Sequence, residues 1–462
     1  MARLDVRLCL GLVVAALGCD PVMTPPDQPT PPLPLDVQLR QDIAQWGVIP
    51  IGPMPAQPAA LVDLGRALMF DKILSGNRDI SCGTCHHPQT HAADGLSLSV
   101  GTGGSGMPPG RTLGAGRQFV PRSAPTLINA GLGLFYMFWD GRLAGGFFGG
   151  PGPGPGPVQG PDGIIFPNGL PNLLATQAML PVLNRQEMRG EPGDLDRFGV
   201  ANELAQYADS DYVGVWQAVM RRLLAIPEYV TRFNAAFPGV PTTQLGFQHA
   251  ATAIATFQRQ ALVRTDSPFD RYLGRDDAAL SPAEKRGAVL FFRDGLCVSC
   301  HNGPFLGGQS FANTGTPQLG PGVGAGAPLD KGRGEVENQP FYDFAFRAPP
   351  LRNVELTAPY MHNGAYATLE AVIEHYNDVE LALRTYDASQ LAPELRGQVH
   401  GDAATIDAVL ATLDFRMRQR LNLTAEQKSD LLAFLKALTD AAARDLSGVA
   451  PATVPSGLPV AP

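Results

Sequence analysis

Charge is scarce in this chain, and its balance is wrong for a polyanion. Asp, Glu, Lys and Arg make up 17% of the residues and leave a net charge of -8, so no basic stripe is available for phosphates and nucleic acid is excluded as a partner. Long apolar runs are missing as well. The stretch Leu8 to Leu17 is too short to span a bilayer, and there are few of the continuous hydrophobic runs that suggest a sheet-based core. With 52 Gly and 43 Pro implying long irregular connections, the reading is helices joined by loops. Cysteine is also in short supply. Of six, Cys9 and Cys19 fall near the start and the other four form two identical pairs, which leaves none for a disulfide framework.

At 462 residues the chain can bury a sizeable core, and two domains are expected. Arg3, Arg7, the apolar stretch and Gly18-Cys19 make residues 1–19 a secretory signal. Cys19, after Ala16-Leu17-Gly18, reads as a lipidation cysteine, with plain cleavage and an uncleaved anchor as alternatives. The expected location is therefore the periplasm, with a lipid anchor at Cys19 in the first case. A Pro-rich tether covers 20–36.

Leu61, Leu64, Leu68 and Met69 recur at helical spacing before the first cysteine pair. Residues 144–169, with alternating Gly and Pro from Gly149 to Pro157, cannot hold a helix and read as an insertion loop. Helical periodicity returns over 202–237 and 242–262, and a connector near 266–277 marks the boundary between segments 37–275 and 276–446, with 447–462 as a tail. Ser281-Pro282-Ala283-Glu284 announces a helix by its N-cap, first-turn Pro and capping-box Glu, and Thr424 with Gln427 announces another.

Cys82-Gly83-Thr84-Cys85-His86 and Cys297-Val298-Ser299-Cys300-His301 are both C-x-x-C-H, in which two thiols bond haem vinyl groups and the next His binds iron. Two copies in an exported chain point to two covalent haem c groups, one per domain. Zinc binding and disulfide redox chemistry are the competing readings. Each pair has its own adjacent His, and the two pairs lie far apart in the sequence, which disfavours both.

Leu64 to Asp71, Ile80 to His86, Phe138-Trp139-Asp140-Gly141-Arg142 and Leu351 to Tyr360 resemble the bacterial diheme cytochrome c peroxidase and MauG family over most of residues 60–440. The resemblance implies a mainly α fold of two cytochrome c-like haem domains joined by long loops. It also implies a peroxidase that reduces hydrogen peroxide through a high-valent haem state, with electrons from a small cytochrome c or cupredoxin; a basic donor would suit the charge. MauG-like oxidation of a protein or small-molecule substrate is the alternative, and a non-catalytic diheme electron carrier is a third reading. Family members are often dimers, so a homodimer is the prior.

The sixth ligands decide the roles of the two irons. Where many family members carry a distal His after the first motif, this chain has Val100-Gly101-Thr102-Gly103, so the first haem should be open as made. His87 and His91 read as surface or propionate histidines. For the second haem the resemblance places the axial residue at Tyr376, as in MauG, where typical peroxidases have Met; His375 and Met361 are the rivals. A phenolate favours the higher iron oxidation states.

Gln177, Pro181 and Glu187 reproduce the family's distal spacing, with Glu187 as acid-base residue and Gln177 as positioning amide. A solvated Glu is the bland alternative. Trp139 matches the tryptophan between the haems, against simple core packing. The Gly-Pro insertion falls between Trp139 and Gln177. The family also implies a calcium ion held by Asn129 and the backbone oxygens of Thr357 and Pro359.

Overall fold

The computed structural model describes residues 33–145, 160 and 163–460. The leader with Cys9 and Cys19, most of the tether and most of the Gly-Pro insertion lie outside them. The described chain is mainly helical, and its strands occur as three two-stranded antiparallel ladders. One of these, Tyr136–Met137 against Leu143–Ala144, frames the turn that carries Trp139. None of the described helices is long and apolar enough to cross a membrane.

Residues 35–462 form one compact unit with two main apolar clusters. The first is built on helices Ala59–Phe70 and Phe247–Ala261 and includes Leu64, Leu68, Phe70, Ile254 and Phe257. The second is built on helices Pro282–Phe292 and Ala425–Lys436 and includes Phe291, Phe292, Leu431 and Phe434. The expected caps start the latter pair. Ser281 N–H donates to Glu284 at 2.6 Å, and Thr424 N–H donates to Gln427 at 2.9 Å. The periodic stretch 202–237 divides into helices Tyr212–Leu224 and Pro227–Ala236, because Pro227 cannot continue the preceding ladder and instead opens the next helix.

Both helix pairs meet through a glycine. A Cβ on Gly65 would fall 1.9 Å from the Ala253 carbonyl oxygen, and one on Gly287 would fall 1.9 Å from that of Asp430. Phe70 meets Phe257 edge-on, and Phe291 meets Phe434 in the same way. The two halves therefore repeat one packing solution.

The chain ends depart from the expected boundaries. Helix Leu35–Gln45 starts inside the segment expected to be tether, and its Leu39 and Ile43 pack in the second cluster rather than with the half that follows them in sequence. Asp42 pairs with Arg293 at 2.8 Å and Asp36 with Lys285 at 2.7 Å. The tail does the reverse, as Val454 and Leu458 join the first cluster. Arg66 donates to the carbonyls of Gly448, Val449 and Ala450, and Ser456 donates to the buried Asp71 carboxylate at 2.6 Å, where Tyr229 also donates at 2.7 Å. Periodicity identifies an apolar face but not the core that receives it.

Replacing Gly65 or Gly287 by Ala forces the paired helices apart, and overpacking of this kind costs about 1–3 kcal/mol. The expected outcome is a lower urea midpoint for each variant at unchanged slope; an unchanged midpoint would show that the close approach is not needed.

Candidate functional site

Cys82 to Cys85 form a single helical turn capped by Ser81, whose N–H donates to the Thr84 hydroxyl at 3.0 Å. Gly83 lies under the Phe70 ring, where a Cβ would come within 2.4 Å. The ring at the end of helix Ala59–Phe70 thus sets the turn on the first core. His86 follows, with Nδ1 3.2 Å from the Ala92 carbonyl oxygen and a second hydrogen bond to that of Pro125. His301 repeats this, with Nδ1 3.3 Å from the Leu306 oxygen and 3.0 Å from the Pro349 oxygen. A carbonyl only accepts, so in both rings Nδ1 carries the proton and Nε2 is left with its lone pair, the form that binds a metal. Burial pushes both imidazoles down to about 4, so each is neutral at pH 7.

The supporting loops are repeats that the sequence reading missed. Ala124-Pro125-Thr126-Leu127-Ile128-Asn129 and Ala348-Pro349-Pro350-Leu351-Arg352-Asn353 each end in an Asn at positive φ, 65° and 66°, followed by a short 3-10 turn. The shared Ala-Pro-x-Leu-x-Asn pattern was the available signal. Asn129 holds the linker between the halves, accepting from Arg264 N–H at 2.8 Å and donating to the Arg264 carbonyl at 2.9 Å; Asn353 donates to that same carbonyl at 3.2 Å.

Both motifs line one cavity of about 670 Å³. Burial pushes the Cys82 and Cys297 thiols up to about 12 and raises Cys85 and Cys300 as well. All four are free cysteines, and among the described residues no group of three or more His, Cys, Asp or Glu side chains could hold a metal ion.

Gln177, Pro181 and Glu187 line this cavity, as do Trp139 and Arg142. The Asn184 side chain accepts from the Gln186 and Glu187 N–H groups at 2.9 and 3.0 Å and so sets the turn that presents Glu187. Burial raises the Glu187 carboxyl above its ordinary value, and the Arg142 guanidinium opposes this. Glu187 is half-buried at the cavity wall. The segment without a distal histidine packs on its backbone: Thr102 N–H donates to the Glu187 carbonyl at 2.9 Å, and a Cβ on Gly101 would lie 1.9 Å from the Gln186 oxygen.

Trp139 connects the two repeated loops. Its indole N–H donates to the Ser123 carbonyl at 2.9 Å, and its own carbonyl accepts from Arg347 N–H at 2.7 Å. Ser123 and Arg347 each stand two residues before the Pro whose carbonyl holds a motif histidine.

At the other motif, Tyr376 lines the cavity, with Thr314 in hydrogen bond to a phenol that burial holds above its usual range. Met361 also lines it. His375 does not, and both of its nitrogens are engaged, Nδ1 with the Tyr366 hydroxyl at 2.8 Å and Nε2 with the Thr314 carbonyl at 2.7 Å. His87 and His91 lie outside the lining too. His87 is buried, contrary to the expected surface position, and caps the turn through Gln89 N–H; His91 Nδ1 faces the Ala443 carbonyl at 3.2 Å.

The cavity wall also carries buried polar nitrogens without hydrogen-bond partners. Arg347 Nη1 and Arg352 Nη2 have no hydrogen-bond acceptor, and the buried His362 Nε2 is likewise unpartnered. Desolvation brings the Arg347 guanidinium down to about 10. Buried polar atoms without a partner are costly; Arg352 pairs through its other Nη with Asp270, and the carboxylates of a porphyrin would satisfy the guanidinium nitrogens that remain. Together with apolar walls, paired thiols and neutral histidines, these atoms fit haem. Arg122, which pairs with Asp330 at 2.7 Å and Asp140 at 2.5 Å, ties the neighbouring segments together. Asn129, Thr357 and Pro359 share the lining.

A sequence profile described as di-haem cytochrome c peroxidase matches residues 59–278. The chain is 34% identical to cytochrome c551 peroxidase of Pseudomonas aeruginosa, over 72% of this chain and 74% of that protein. It is 30% identical to methylamine utilization protein MauG of Methylorubrum extorquens, over 68% of each. A solved MauG-like protein associated with microbial copper homeostasis is similar in structure, with TM-score 0.57 and 26% identity, covering 88% of this chain and 97% of that one. The fold, the paired haem motifs in one cavity and these similarities agree: the chain belongs to the di-haem cytochrome c peroxidase family, an oxidoreductase of the peroxidase type with two haem cofactors.

Proposed function

We propose that this protein reduces hydrogen peroxide at the haem held by Cys82, Cys85 and His86, with electrons that enter through the haem held by Cys297, Cys300 and His301. The supporting observation is the asymmetry of the cavity: Glu187 and Gln177 reach it, and the segment Val100 to Gly103 offers no histidine to close that end.

Cys82 with Cys85, and Cys297 with Cys300, would each hold a haem by thioether bonds, and its iron would supply the redox chemistry. Glu187 takes the proton from the inner peroxide oxygen and returns it to the departing one, which needs the carboxylate form first. Gln177 donates its amide N–H groups to position the substrate. Pro181 stands between them with no N–H to compete. Trp139, hydrogen-bonded to both repeated loops, is the stepping site for electrons between the halves. Tyr376 would be the residue that holds the second iron together with His301; of its rivals, His375 has both nitrogens engaged elsewhere and Met361 shares the lining.

The tyrosine favours a second reading, MauG-like oxidation of a protein or small-molecule substrate, because an anionic oxygen ligand stabilises high oxidation states. A plain electron carrier would have no use for Glu187 and Gln177 at the cavity wall. We place the protein in the periplasm, with a small cytochrome c or cupredoxin as donor. A calcium ion is proposed at Asn129 Oδ1, which has a lone pair beyond the bond from Arg264, and at the Thr357 and Pro359 carbonyls. Hard neutral oxygens completed by water suit that ion.

Glu187→Gln should slow the Soret response to peroxide by about 10²-fold or more with covalent haem content unchanged, and an unchanged rate would remove Glu187 from the reaction. The pH dependence follows from burial. Because the raised carboxyl must be ionised to act, the rate falls on the acid side with a midpoint above the ordinary Glu value of about 4.3. Arg142→Gln removes the opposing cation, so the acid limb should move to higher pH, and an unshifted limb would show that Arg142 does not act on Glu187. In the resting state, electron paramagnetic resonance should give one high-spin and one low-spin ferric haem, whereas two low-spin haems would establish a carrier.

A further inference from the structure

The loop that follows the first motif is held by a buried arginine with no part in the reaction described so far. Arg111 is 6% exposed and lies outside the cavity lining. Its hydrogen-bond partners are backbone oxygens: Nε donates to the Val100 carbonyl at 2.8 Å, Nη2 to that of Gly101 at 2.8 Å and Nη1 to that of Gly106 at 2.9 Å. One planar fork thus gathers three carbonyls of the stretch that stands where a distal histidine would be. Ser105 and Thr112 close the same loop by exchanging N–H to carbonyl bonds at 3.0 and 2.8 Å.

From the clamped carbonyls the contacts lead straight to Glu187. Thr102, the next residue, donates its N–H to the Glu187 carbonyl at 2.9 Å, and Gly101 approaches the Gln186 oxygen too closely for any Cβ. On its other side the loop is tied to Asp79, which accepts from the Thr102 hydroxyl at 2.7 Å and from Gly103 N–H at 2.6 Å. Burying a guanidinium on carbonyls alone is a costly way to fill space, but an apolar side chain would leave those carbonyls without a donor. The charge of Arg111 is not what reaches Glu187. The groups that face this carboxyl are Arg142, from the turn that carries Trp139, and the Cys82 and Cys85 sulfurs of the motif; the loop meets the Glu187 turn through backbone.

We propose that Arg111 is a positioning residue for the peroxide reaction: by clamping Val100, Gly101 and Gly106 it fixes the backbone on which the Glu187 turn rests, and so keeps that carboxylate at its place in the cavity wall. This rests on the reading that Glu187 moves the peroxide protons. The lever is geometric, since a misplacement of about 1 Å in a reacting group can cost about 10²-fold in rate. Without the fork, the Thr102 and Gly101 contacts loosen and water reaches the carboxyl. The burial that raises it is then relieved, so the clamp governs both where Glu187 sits and the pH at which it acts.

The test compares Arg111→Gln and Arg111→Lys with the wild-type holoprotein in the Soret response to peroxide across pH, and in hydrogen–deuterium exchange of the peptides that cover residues 100–106 and 184–190. Both variants should react at least about tenfold more slowly, and both peptides should exchange faster. The acid limb should move down toward the ordinary Glu value of about 4.3, opposite in sign to the shift expected for Arg142→Gln. Lysine keeps the charge but lacks the fork, so an Arg111→Lys protein that reacts like the wild type overturns the clamp. An acid limb that stays in place in Arg111→Gln also overturns it, whether or not the rate or the urea midpoint falls, and leaves the peroxidase reading standing. A Glu187→Gln protein that reacts as fast as the wild type overturns both. Should Arg111→Gln fail to load haem, Arg111→Lys decides by the same limb and the same exchange.

Discussion

A backbone carbonyl facing Nδ1 of each motif histidine is the contact on which the rest of the site depends. It sets the tautomer, fixes the ring and leaves Nε2 with its lone pair, the form a metal can take. At His86 the acceptors are the Ala92 and Pro125 oxygens, and at His301 they are those of Leu306 and Pro349. Proline suits the position because it has no N–H and a restricted φ, so its carbonyl is held in place while the chain turns. The Asn that ends each loop grips Arg264, and through it the two supports share one linker.

On this duplicated frame the two ends of the cavity were made different. The first carries Glu187, pressed against the Thr102 segment and facing Arg142; the second carries Tyr376 beside Thr314. Trp139 belongs to neither half alone, since its two hydrogen bonds end on equivalent positions of the two loops.

Much of this was legible in advance where function is written in adjacent residues. The C-x-x-C-H motifs, the caps at Ser281 and Thr424, and the helical spacing around Leu64 and Leu68 all depend on neighbours within a few positions. His375 shows the limit. It is one residue from Tyr376 and chemically the better iron ligand on paper, yet its ring is turned onto Tyr366 and Thr314. Helix Leu35–Gln45 and the tail show it again, since each packs on the half farther from it in sequence.

The sequence by itself determined two haem-binding motifs and a mainly helical chain, because attachment and helix signals are local chemistry; the set Gln177, Pro181 and Glu187 was legible only through resemblance to the family. Tertiary structure alone decided that both motifs open into one cavity, that one guanidinium nitrogen of Arg347 and one of Arg352 stay without an acceptor, and that Trp139 bridges the two loops. These depend on burial and on contacts between distant segments, whose energies exist only once the chain has closed around them.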